Sequence, residues 1–60
     1  MYLIENGNTG EVVAMEKDEF SALKQMQVLA DNSKGVVFLL YDPYGVQIRH
    51  YGKKEEEEAS

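Results

Sequence analysis

Apolar positions in this chain form two kinds of pattern: short runs bounded by turn residues, and one segment with helical spacing. The longest run, residues 36–41 (VVFLLY), leads into Asp42-Pro43-Tyr44-Gly45 and returns through the alternating segment 46–51 (VQIRHY). Proline presets φ at the second position of a type I turn, and glycine accepts the φ > 0 that follows. The pattern therefore predicts a β-hairpin over 36–51, with Asp42 opposite Val46 across a three-residue loop.

Simple counting from that loop pairs Tyr41 with Gln47, Leu40 with Ile48, Leu39 with Arg49, Phe38 with His50 and Val37 with Tyr51. Side chains alternate between the faces of a strand. One face would then carry Val36, Phe38, Leu40, Val46, Ile48 and His50, a core face. The other would carry Val37, Leu39, Tyr41, Gln47, Arg49 and Tyr51. A register slip of one residue would exchange these roles on one strand.

An earlier pair of runs, Tyr2-Leu3-Ile4 and 11–15 (EVVAM), flanks two turn signals, Asn6-Gly7 and Thr9-Gly10. This predicts a first hairpin within residues 1–15, without deciding which glycine makes the tighter turn. A phosphate-binding reading of the glycines fails, because no lysine followed by Ser or Thr, and no helix, comes directly after them.

Between the hairpins, residues 16–32 have helical spacing. Phe20, Leu23, Met26, Leu29 and Ala30, with Ala22, form the apolar stripe, and Val28 falls off it. Glu16 as N-cap would set Met15 and Phe20 as a hydrophobic staple, whereas Asp18 is chemically the better cap. Asp31-Asn32-Ser33-Lys34-Gly35 supplies the stop. The expected fold is a small single α+β domain, β-β-α-β-β, with one helix packed on one face of an antiparallel sheet. The domain is expected over residues 1–52, followed by a charged, acidic tail at 53–60.

Size and charge sharpen this picture. A chain of 60 residues without cysteine has neither disulfide nor thiolate metal site to reinforce a small core. A second copy or a larger protein is the remaining source of buried area. The amino terminus has no basic region followed by an apolar run, and no segment approaches the ~20 apolar residues of a membrane span. With cysteine absent as well, a cytoplasmic protein without membrane contact is expected.

Eleven acidic against six basic residues give a formal charge of −5, much of the excess lying in Glu55-Glu56-Glu57-Glu58. This sign opposes phosphate binding. Tyr41, Arg49 and Tyr51 on an open sheet could stack single-stranded RNA, but the sequence pattern of RNA-binding sheets is missing. An acidic mimic of nucleic acid, blocking a DNA- or RNA-binding protein, is a further alternative. Four glutamates in a tail, with Lys17, Lys24, Lys34 and Arg49 interrupting the acidic surface, support it weakly.

Catalysis has less behind it. Ser21, Ser33 and Ser60 share no nucleophile motif, and His50 is the one histidine. One histidine without cysteine does not make a zinc site, and no calcium-loop pattern occurs. No catalytic residue, metal or cofactor is expected. Tyrosine, arginine and aliphatic residues together match the composition of protein-interface hot spots. The sequence thus points to a non-enzymatic protein-binding module, a regulator or inhibitor of the size viruses encode. Val37, Leu39, Tyr41, Arg49 and Tyr51 are its candidate partner-binding residues, and its partner is another protein or a second copy.

Overall fold

The computed structural model describes residues 1–53; the glutamates of the expected tail lie outside the described residues. Strands β1 (Tyr2–Asn6) and β2 (Val12–Glu16) form the first hairpin, followed by helix α1 (Glu19–Asn32). Strands β3 (Phe38–Tyr41) and β4 (Gln47–Tyr51) form the second. The four strands make one antiparallel sheet in the order β2-β1-β3-β4, so the hairpins join through their first strands. The protein is a small α+β domain of the β-β-α-β-β order expected.

Local chemistry explains each turn. In the first hairpin the Asn6 side-chain oxygen accepts from the Asn8 and Thr9 amides at 2.8 and 3.2 Å, and Gly10 takes a left-handed φ of 82°. Gly7 has another task. Its amide donates to the Val37 carbonyl at 2.7 Å, and a Cβ there would lie 2.7 Å from that same oxygen. In the second hairpin Asp42 Oδ1 accepts from the Tyr44 and Val46 amides, both at 2.9 Å. The Gly45 amide donates to the Asp42 carbonyl and the Asp42 amide to that of Val46. With Gly45 at φ 85°, this is the three-residue loop that Pro43 and Gly45 foretold.

The helix starts at its better cap. Asp18 accepts from the Ser21 amide at 2.8 Å, which replaces the alternative start at Glu16. The staple positions then fall on Lys17 and Ala22, not on Met15 and Phe20. The buried face is Ala22, Met26 and Ala30, a row at four-residue spacing. Phe20 lies about 120° around the wheel from Met26 at 3.6 residues per turn. It is 71% exposed, contrary to its expected place in the core, and the Lys24 ammonium sits 5.4 Å from its ring centre.

Beneath this row lie Ile4 of β1 with Phe38 and Leu40 of β3; Ile4 and Leu40 are opposite one another across the central pair of strands. Tyr2, Ala14, Leu23, Leu29, Val36 and Tyr51 pack around them half-buried. No polar or charged side chain is buried among the described residues. Phe38 is thus a core residue of a core with few large members. Phe38→Ala is expected to cost about 3–5 kcal/mol, a large share of what so small a domain can have. Urea denaturation followed by circular dichroism checks this; a fully folded variant with an unshifted midpoint would remove Phe38 from the core.

Candidate protein-binding surfaces

The positions of the candidate residues depend on register. The hairpin starts as counted, with Tyr41 opposite Gln47. One residue of β4 is then left over: the next pairs are Leu40 with Arg49, Leu39 with His50 and Phe38 with Tyr51, so Ile48 is the extra residue of a β-bulge. This corrects the counted pairs beyond Tyr41. Arg49 and Tyr51 share the helix face with Phe38 and Leu40, while His50 joins the open face beside Leu39. The outer strand of the other hairpin carries a bulge too, since Ile4 faces Ala14 and Glu5 faces Val12, which leaves Val13 over.

Two surfaces result from the five candidates. Leu39 and Tyr41 lie on the open face, with Val37 two residues ahead of Leu39 on the same side. Arg49 and Tyr51 lie on the helix side. Across the open face the pairings build two rows, Met15–Leu3–Tyr41–Gln47 and Val12–Glu5–Leu39–His50. Leu3, Val12 and Met15 are apolar members that the sequence left unassigned. Their alternation with Tyr2 and Ile4, and with Ala14, was the available signal, but the two possible turns of the first hairpin left its register open. Val12 and Met15 are 50% and 59% exposed, so this face is uncovered in the folded chain.

Its polar members are organised. The Tyr41 hydroxyl donates to the Glu5 carboxylate on the neighbouring strand, and this bond raises the phenol pKa above the ordinary 10.0. Desolvation and the negative charge of Glu5 act in the same direction. Tyr41 is thereby fixed beside Leu3 with its ring as part of the surface.

On the other side, β4 meets α1 at two exposed ion pairs. Arg49 Nε lies 3.5 Å from the Glu19 carboxylate at the start of the helix. Lys53 Nζ lies 3.2 Å from Asp31 near its end, which raises the lysine pKa through that contact. Each such exposed pair contributes only about 0–1 kcal/mol. Between them Leu23, Met26 and Gln27 of α1 and Arg49, His50 and Tyr51 of β4 line a mainly apolar pocket of about 180 Å³. Tyr51 thus belongs to a groove wall packed against the core.

Among the described residues no three His, Cys, Asp or Glu side chains are grouped to hold a metal ion. No helix among them is long and apolar enough to cross a membrane. Compared with protein-family models, curated proteins and solved structures, the chain matches none.

The Tyr41–Glu5 contact has a measurable sign. The folded chain holds the phenol proton more tightly than the unfolded chain, so the contribution is present below pH 10 and is lost as pH rises through the folded-state value. Glu5→Gln is expected to bring the Tyr41 titration back toward 10, read by NMR of its ring carbons. An unchanged Tyr41 titration in that variant would exclude Glu5 as the cause.

Proposed function

We propose that this chain is a small non-enzymatic protein-binding module, a regulator or inhibitor that acts through its open sheet face, with a second copy of itself as the first partner to test. The observation that carries this reading is the uncovered face on which Leu3, Val12, Met15, Val37 and Leu39 surround Tyr41. One helix covers one side of a four-stranded sheet, and a core in which Ile4 and Leu40 are the largest fully buried side chains gains from further burial. An interface centre of aliphatic groups around an anchored tyrosine has the make-up of a binding hot spot.

Catalysis needs polar groups sheltered from water, and the described residues bury none, which favours binding over chemistry. The net charge of −5 disfavours RNA on this face, all the more because Arg49 is on the other side of the sheet.

Sedimentation equilibrium across protein concentration, at low and moderate salt, tests the reading. A reversible dimer is expected, and Leu39→Asp should weaken it roughly tenfold or more, because a carboxylate would be desolvated without a partner. Removing residues 54–60 should leave it unchanged. Association that survives Leu39→Asp, but fails without the acidic residues and falls steeply with salt, would replace this reading with the nucleic-acid mimic. A monomer at every concentration would dismiss self-association, and Leu39→Asp then serves as the negative control in a search for a different protein.

A further inference from the structure

We infer that the groove between α1 and β4 is a second binding site, which takes an extended, acidic peptide segment as a fifth strand on the β4 edge with one apolar side chain in the pocket. It is separate from the open face, so either surface can fail without the other.

Four observations define the occupant. First, β4 is an outer strand, and its outward amides and carbonyls have no strand partner among the described residues. Such an edge is a template for an added strand. Secondly, α1 packs least on β4 of the four strands, and this leaves a shoulder beside that edge. The 180 Å³ pocket lies in the shoulder. That volume is below the roughly 300 Å³ where cofactor and drug-sized sites begin, but similar to apolar cavities of about 150 Å³ that hold a benzene-sized group. It suits one aliphatic or phenyl side chain.

Thirdly, the ion pairs Arg49–Glu19 and Lys53–Asp31 bound the groove at its two ends. Glu19 and Asp31 are twelve residues apart in one helix, about 18 Å at 1.5 Å per residue. This length matches about five residues of extended chain. Fourthly, the edge segment 47–53 (QIRHYGK) carries Arg49, His50 and Lys53 and no carboxylate, in a chain whose net charge is −5. A strand laid along it meets positive charge, so acidic flanks are favoured and basic ones are not. The Ile48 bulge sits before this segment and leaves Arg49 to Tyr51 in regular pairing with β3.

The test uses the full chain, immobilised, against random octapeptides displayed on phage. The most enriched sequence is then made as a fluorescein-labelled synthetic peptide. Enriched peptides are expected to share one aliphatic or phenylalanine residue flanked by Asp or Glu. The synthetic peptide should shift the amide resonances of Arg49, His50, Tyr51, Leu23 and Gln27. Gln27 is exposed at the groove wall, so Gln27→Trp fills the pocket and Gln27→Glu repels acidic flanks without touching the core. Each should weaken binding roughly tenfold or more, whereas Leu39→Asp should leave it within about twofold.

The inference is overturned by a selection without a shared sequence, or by unaltered affinity in both Gln27 variants. Shifts confined to Leu3, Met15 and Leu39 would overturn it as well, and would place the peptide on the open face. Groove resonances that shift with protein concentration alone would make a second copy the occupant instead.

Discussion

The contact on which this molecule depends is the cross-strand pair Ile4–Leu40. These are the large side chains with no exposure at all, and they face each other at the seam where the two hairpins meet. Each hairpin is local and largely set by its own turn. Their union is not local, because β1 and β3 are separated in sequence by the second strand and the helix. Apolar burial at the seam, together with the β1–β3 hydrogen bonds, holds one hairpin to the other. The helix conforms to this: Ala22 and Ala30 flank Met26 on its buried face, and small residues let a helix approach a sheet closely. The cost of that arrangement is a core with few large members.

The same geometry has consequences at the periphery. A single narrow helix over the seam leaves the opposite face bare and the β4 shoulder open, so the uncovered surfaces come from the architecture and not from any one residue. The outer strands are also the irregular ones, with Val13 and Ile48 each left over in its pairing. Bulges at edges twist the outer strand and interrupt the template that it offers to other chains. Here the interruption on β4 is confined to the turn end of the strand, while its other end, beside the pocket, stays regular.

Much of the fold was legible because its signals are short-range. Asp42-Pro43-Tyr44-Gly45 can close a hairpin only in a few ways, and the spacing of Ala22, Met26 and Ala30 has no reading as a strand. Asp18 was chemically recognisable as a cap, though the acidic residues around it blurred the start. Strand order was not legible, since nothing in the local pattern of Tyr2-Leu3-Ile4 or Phe38-Leu39-Leu40 says which edges will meet. Phe20 was misleading because its hydrophobicity fits the stripe while its angle does not. The candidate site divided for a comparable reason. Val46, Ile48 and His50 alternate as a regular strand would, so the sequence has no mark of the extra residue that moves Arg49 and Tyr51 to the helix side.

That extra residue makes the outer strand sensitive to length as well as to composition. Beyond a bulge, the parity of the count decides which way every later side chain faces. Loss of one codon at Ile48 would leave every other residue in place, yet restore the simple alternation. Arg49 and Tyr51 would go to the bare side and His50 would turn under the helix in one step. No single substitution has that reach. A relative of this chain that is one residue shorter between Gly45 and Tyr51 would therefore present a different chemical surface under a nearly identical sequence, and percent identity would be a poor guide to shared partners.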